Sequence, residues 1–259
     1  MVIGLQHLIL KENRVNQQNL TLSVSANFIS LSVRDYLSNN LLKFDKKIFK
    51  TPLSVENINE EIQILLDSNN YENQKFDKIK LIQDNNFFVL VPDELYSSKE
   101  KTTYLKFKTE IKDDDFVAVD NLNNFKIKNV YIPYVNVNNY LVDLFNHIDY
   151  YHYNTELINK LFEIRTNEQF FVNVNNGKIK IVLFNEDSLG YFNSYDIENS
   201  SDIIYYILLT LKEYNLEINK TEIVYIIDHD YDNLFDMSSN FFDNYKILNE
   251  DFQGDFLHC

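Results

Sequence analysis

Phe170-Phe171-Val172-Asn173-Val174-Asn175-Asn176-Gly177-Lys178-Ile179-Lys180-Ile181-Val182-Leu183-Phe184 is the stretch that decides the fold. Asn-Gly between two runs of alternating polarity is a strong hairpin signal, because both central residues of the tight turn take positive φ. With the turn at Asn176-Gly177, Val174 meets Ile179, Val172 meets Ile181 and Phe170 meets Leu183, so three apolar pairs share one side. Asn173 with Lys180 and Asn175 with Lys178 share the other. A slip by one residue would turn the apolar side to water, so the register is strongly specified. A third strand is expected over Leu189 to Tyr195, then a helix over Ser200 to Tyr214 capped by Asn199, with Asp202 in its first turn. Ile203, Ile204, Ile207, Leu208 and Leu211 give that helix an apolar stripe. Glu222 to Asp228 follows as a strand, and its run Ile223-Val224-Tyr225-Ile226-Ile227 suits a position covered on both faces.

The same order of elements begins again at Leu20. Leu20-Thr21-Leu22-Ser23-Val24-Ser25 meets Phe28-Ile29-Ser30-Leu31-Ser32-Val33 across Ala26-Asn27. The expected register pairs Val24 with Ile29, Leu22 with Leu31 and Leu20 with Val33, leaving Ser23 with Ser30 and Thr21 with Ser32 on a polar face. A strand over Leu42 to Phe49, a helix over Ser54 to Asp67 and a strand over Lys78 to Gln83 complete the copy. The repeat is one of topology rather than residue identity.

Between the copies the pattern predicts short elements. Phe87 to Val91 reads as a strand ended by Pro92, and Asp93 to Lys101 as a short helix with Leu95 inward. Tyr104 to Phe107, Phe116 to Val119 and Val130 to Pro133 read as strands. Helices follow over Asn138 to His147 and Thr155 to Ile164, flanking a strand over Ile148 to Tyr153. The expected division is a first lobe over 1–168, with an inserted section near 85–135, and a smaller second lobe over 169–259. Tyr231 to Asn240 reads as helix and Tyr245 to Leu248 as a last strand; residues 1–18 read as a leader or added edge strand, and 249–259 as a tail too short for another layer.

Composition excludes several classes. Of 259 residues, 45% are hydrophobic and 24% charged, which suits a globular protein with a sizeable core. Only four Gly and three Pro are present, so Asn is expected to serve most turns. A net charge of −15 repels phosphate backbones and argues against general nucleic-acid binding. Lys43, Lys46, Lys47 and Lys50 cluster, as on a solvated strand edge. One cysteine, Cys259, leaves no disulfide framework. No apolar run approaches the roughly 20 residues of a membrane span, and the N-terminus lacks a signal-peptide pattern, so a cytoplasmic protein is expected.

The doubled unit resembles the actin-like ATPase fold, an α/β architecture of two ribonuclease-H-like lobes. More narrowly, the chain resembles a bacterial family of unknown function, domain of unknown function 3822. The likeness is carried by Phe87-Phe88-Val89-Leu90-Val91-Pro92-Asp93-Glu94-Leu95-Tyr96, Tyr104-Leu105-Lys106-Phe107 and Asn129-Val130-Tyr131-Ile132-Pro133. Tyr151-His152-Tyr153-Asn154 and Ile203-Ile204-Tyr205-Tyr206-Ile207-Leu208-Leu209-Thr210-Leu211 continue it, over roughly residues 18–250.

The resemblance implies phosphate-binding sites at the tips of the two first hairpins, where actin-like ATPases carry an Asp for the metal with nearby Gly and Ser/Thr. Here the first tip, Ser23-Val24-Ser25-Ala26-Asn27-Phe28, has neither acid nor glycine. The second, Asn173-Val174-Asn175-Asn176-Gly177-Lys178, has amides in place of the acid. Ser25, Asn27, Asn175 and Gly177 are the candidate cofactor contacts, and the competing reading is two ordinary hairpin turns. Asp228, Asp230 and Asp232 are weak metal candidates at the end of a fourth strand, against a solvated strand-to-helix loop. Asp113, Asp114 and Asp115 read as a solvated turn, and His152 as a structural histidine. No catalytic residue is assigned and no cofactor is expected, although a nucleotide is admitted by the fold. The expected protein is a non-catalytic scaffold, a pseudo-ATPase that binds a protein partner through its cleft or exposed strands. The alternative is a nucleotide- or metal-dependent enzyme, an ATPase or phosphotransferase with unconventional ligands.

Overall fold

A computed structural model describes residues 17–111, 115–167, 169–175, 177–227 and 233–248. They divide into two compact units, one of 1–86 with 132–153 and one of 87–131 with 154–259.

The first unit opens with β1 (Gln18–Ser25), β2 (Phe28–Asp35) and β3 (Leu41–Ile48), crosses through α1 (Val55–Ser68) and returns as β4 (Lys78–Asp84). The first hairpin takes the register that its apolar pairs dictate, Val24 opposite Ile29, Leu22 opposite Leu31 and Leu20 opposite Val33. Ser54 caps α1 by accepting from Asn57 N at 3.3 Å, and Ile58, Ile62 and Leu66 bury its apolar stripe. β4 lies parallel beside β1, as a crossover through a helix permits.

Next in the chain come β5 (Phe88–Pro92), a 3-10 turn at Asp93–Leu95, the five-residue α2 (Lys101–Leu105), β6 (Ala118–Leu122) and β7 (Ile127–Tyr131). They form a separate sheet in the order β5-β7-β6. Two expectations fail here. Tyr104 to Phe107 is not a strand: Tyr104 and Leu105 end α2, where Leu105 is buried and Phe107 beyond it is 93% exposed. The alternation in that stretch marks a helix edge anchored by the Tyr104 hydroxyl, which donates to Leu95 O at 2.7 Å and accepts from Ser97 N at 2.8 Å. That anchoring also ends the expected helix at Leu95, whose side chain is exposed rather than inward.

The chain then rejoins the first unit through α3 (Val135–Phe145) and β8 (Asp149–His152), which adds parallel to β4 and completes the order β3-β2-β1-β4-β8. Val137, Leu141 and Ile148 join Leu22, Leu31, Ile62 and Leu81 in one buried core. α4 (Tyr153–Ile164) follows, and the second unit proceeds through β9 (Phe170–Asn175), β10 (Lys178–Asn185), β11 (Ser188–Asp196), α5 (Ser200–Glu213), β12 (Ile223–Ile227), α6 (Leu234–Phe241) and β13 (Tyr245–Ile247). Its sheet order, β11-β10-β9-β12-β13, repeats that of the first. The decisive hairpin has the expected register, with Val174 opposite Ile179, Val172 opposite Ile181 and Phe170 opposite Leu183. Asn199 and Asp202 cap α5 reciprocally: Asn199 Oδ1 accepts from Ser201 N and Asp202 N, while Asp202 Oδ2 accepts from Asn199 N.

The inserted sheet groups with the second unit. Aromatic packing accounts for it. The Phe125 ring lies 4.8 Å from Phe162 and stacks at 5.7 Å on Phe184, and Phe88 meets Phe192 edge-on at 5.9 Å. The residues expected to form polar faces are also buried: Ser23, Ser30 and Ser32 in the first unit, Asn173 and Lys180 in the second. Asparagine does serve the turns, since among the described residues five of the seven non-glycine residues at positive φ are Asn39, Asn70, Asn146, Asn215 and Asn233.

Candidate functional site

The first hairpin tip is closed by its own serine. The Ser25 hydroxyl accepts from Asn27 N and Phe28 N, both at 3.0 Å, and Ser25 is 7% exposed. The carbonyl of Ala26 accepts from Leu53 N and that of Asn27 from Phe49 N, both at 2.8 Å. A phosphate cradle needs backbone N–H groups turned toward the ligand; here the amides of Asn27 and Phe28 turn inward on Ser25. Asn27 itself is half-buried.

The second tip is built differently. Gly177 takes φ +76, which favours a residue without Cβ, and its carbonyl accepts from Ile197 N at 2.9 Å. Asn175 is buried at the end of β9, and Asn173, two residues back on the same face, donates to Ile226 O at 3.5 Å. Ser25 and Asn27 thus share a tip in the first unit, and Asn175 and Gly177 share one in the second. Asn176 lies outside the described residues, as do Asp228, Asp230, Asp232, residues 1–16 of the leader or edge strand expected over 1–18, and the tail over 249–259. Asp113 and Asp114 do as well.

One acid beside the first tip escaped the sequence reading. Asp84 stands opposite Ser25 in the parallel pairing of β1 with β4 and is buried. Its place, the carboxyl end of a central parallel strand, is where open α/β sheets hold ligands, and that position was the available signal. Amides surround it. Gln83 donates to Asn138 Oδ1 at 2.8 Å and accepts from Tyr134 N, while Asn85 donates to Ile132 O at 2.9 Å. The fully buried His152 donates through Nε2–H to Asn85 O at 3.2 Å, as a structural histidine does. The Tyr134 hydroxyl donates to Asp84 O at 3.3 Å, and burial first, then the Asp84 charge, pushes its pKa well above the usual tyrosine value. Among the described residues, no group of three or more His, Cys, Asp or Glu is placed to hold a metal.

A cavity of about 660 Å³ opens at the other end of the second sheet, with Phe170, Leu183 and Leu216 among its lining residues. Glu217 with Lys220 at 2.8 Å, and Glu222 with Lys246 at 3.1 Å, form ion pairs in its lining. β9 runs from Phe170 beside this cavity to Asn175 at the tip, roughly 17 Å at strand rise, so cavity and tip are separate features.

The duplicated five-stranded order, antiparallel meander first and parallel strands after the crossover, defines a protein of the actin-like ATPase fold. Solved structures agree. The chain is similar to a protein of actin-like ATPase fold and unknown function from Bacteroides thetaiotaomicron VPI-5482, with 16% identity, a TM-score of 0.77 and coverage of 92% of this chain and 93% of that one. It is similar to a chain of the PilM–PilN type IV pilus biogenesis complex, with 10% identity, a TM-score of 0.53 and coverage of 91% and 89%. It is also similar to the cytoplasmic domain of EpsL, an inner-membrane component of the type II secretion system of Vibrio cholerae, with 10% identity, a TM-score of 0.51 and coverage of 93% and 92%. The chain belongs to the family described as protein of unknown function (DUF3822), whose pattern matches residues 10–245. No curated protein matches the sequence. Among the described residues, no helix is long and apolar enough to cross a membrane, which leaves β-barrels unaddressed.

Proposed function

We propose that the protein is a non-catalytic, partner-binding member of the actin-like fold, acting in the cytoplasm, with hairpin tips that no longer serve a nucleotide. The observation that carries this reading is the first tip, where Ser25 engages the two amides that a phosphate would need. The second tip adds weight, since Asn173 and Asn175 stand where a metal-binding acid is expected, and an amide is a poor substitute for a carboxylate on a hard cation. Among the described residues, Asp84 is one acid among amides, short of the paired carboxylates of two-metal chemistry. The likeness to a chain of a two-protein pilus complex supports a partner-binding role without naming a partner. General nucleic-acid binding is opposed by the net charge of −15.

Thermal denaturation with ATP, ADP, GTP, Mg²⁺, Mn²⁺ and Ca²⁺ tests the reading, because a ligand that prefers the native state raises its melting temperature. No shift is expected with any of them, and no Mg-ATP turnover above buffer. Turnover that disappears in Asn175→Ala or Asp84→Asn would replace this reading with the enzymatic one.

A further inference from the structure

The outer strands of the two sheets are treated in opposite ways. β3 borders the first sheet with Lys43, Asp45, Lys46 and Lys47, and charges on an edge strand discourage further pairing. β11 borders the second sheet over nine residues, Ser188-Leu189-Gly190-Tyr191-Phe192-Asn193-Ser194-Tyr195-Asp196, with no proline and no charge before Asp196. Among the described residues, β11 pairs with β10 alone, and no other backbone group bonds to Ser188–Tyr195. The Ser194 N–H instead donates to the side chain of its neighbour, Asn193 Oδ1, at 2.9 Å.

Beside this open edge lies a half-exposed shelf of tyrosines. Tyr195 stacks on Tyr206 of α5 with ring centroids 4.0 Å apart, Tyr191 lies 5.1 Å from Tyr214, and the Tyr191 and Tyr195 hydroxyls hydrogen-bond. Tyr205, 59% exposed, and the exposed Leu209 extend the shelf along α5. Acids stand at both ends of the strand: Glu186 and Asp187 before it, Asp196 at its last position and Glu198 just beyond, all exposed. Arg165 reaches Asp187 at 3.3 Å and Lys178 reaches Asp196 at 3.2 Å, which offsets two of the four.

We propose that an extended segment of a partner protein adds to β11 as a sixth strand of the second sheet. The charge pattern sets its chemistry: apolar or aromatic residues at alternate central positions, over the tyrosine shelf, and Lys or Arg near both ends. Main-chain bonds to the edge supply affinity, and the acid ends select the partner. A second copy of this chain is a poor occupant, because antiparallel self-pairing sets Glu186 and Asp187 of one copy against Asp196 and Glu198 of the other. The proposal rests on the partner-binding reading and names the class of partner.

Fluorescent 12-residue peptides provide the probe, one with an alternating Val/Tyr/Thr centre and Lys at both ends, one with the same centre and Glu at both ends. The Lys-ended peptide is expected to bind roughly tenfold tighter, an advantage reduced by salt, and to protect 188–196 from hydrogen exchange. Ser194→Pro removes the edge amide without touching the ladder to β10 and is expected to weaken binding about tenfold at an unchanged melting temperature. If that variant does not fold, Ser194→Lys, which keeps the backbone and puts a charge on the edge, is expected to weaken binding of the Lys-ended peptide in the same direction. Equal binding of both peptides, protection elsewhere than 188–196, no binding at all, or dimerisation through β11 in sedimentation would each overturn the proposal. A partner retained undiminished by Ser194→Pro would defeat strand addition while leaving the partner-binding reading standing. Strand addition accompanied by Mg-ATP turnover would do the reverse.

Discussion

The two hairpins, β1–β2 and β9–β10, carry the same inner register and opposite tips. Three apolar pairs face inward in each, yet the first tip is closed by a serine hydroxyl and the second by a glycine at positive φ. The outer strands diverge as well, lysine-rich in β3 and uncharged through most of β11. Inner pairs are held by burial, which tolerates few alternatives, whereas tips and edges answer to local backbone chemistry and can drift without loss of fold. A shared topology is therefore weak evidence that the two tips share a ligand.

The comparison breaks most sharply in the cores. Leu22→Ala and Ile181→Ala each remove a fully buried side chain from an equivalent pair, and each is expected to cost about 2–5 kcal/mol in urea denaturation followed by circular dichroism. A large cost in one and none in the other would end the equivalence. At the tips, Gly177→Ala is expected to cost about 1–2 kcal/mol from backbone strain, because an added Cβ would meet only Ile197 O at 3.8 Å. Ala26→Gly, in the tip closed by Ser25, is expected to cost less than about 1 kcal/mol. Helix caps give a smaller contrast: Asn199→Ala should lose about 1 kcal/mol, and Ser54→Ala less, since only Asn199 belongs to a reciprocal box.

The smallest effect near neutrality concerns pH. Burial raises the pKa of Tyr134 in the first unit and of Tyr225 in the second. Burial raises that of Tyr195 too, helped by its bond to Tyr191. A raised folded pKa contributes stability that is complete below the unfolded tyrosine value near 10 and is lost as pH climbs through the folded one. Tyrosinate absorbance is expected to show these rings ionising late, together with alkaline unfolding. Ionisation of all tyrosines near pH 10 with the fold intact would contradict it.

Much of the fold was legible because its signals are local. The alternation on either side of the second hairpin turn and the Asn199–Asp202 cap each rest on residues close together in the chain, and the strand register and the cap appear as read. The short middle elements were less legible. Tyr104-Leu105-Lys106-Phe107 alternates like a strand, but a hydroxyl bond to Leu95, nine residues away, holds the segment in a helical turn. The candidate site was legible at its tips and illegible around Asp84. Gln83, Tyr134 and Asn138 come together across more than 50 residues, and nothing in their own neighbourhoods announces it.

Sequence alone determined which residues pair across each hairpin and that the unit occurs twice, because side-chain alternation and turn chemistry act over a few residues and tolerate no slip. Only tertiary structure decided which apparently polar faces are buried. Asn173 and Lys180 read as a solvent face, yet Phe125 and Phe162 close over the same side of the sheet at Phe184, and that covering comes from distant parts of the chain. The same holds for Ser25. Its hydroxyl is available to a ligand in the sequence and occupied in the fold, because the two amides that claim it are oriented only once the hairpin has closed.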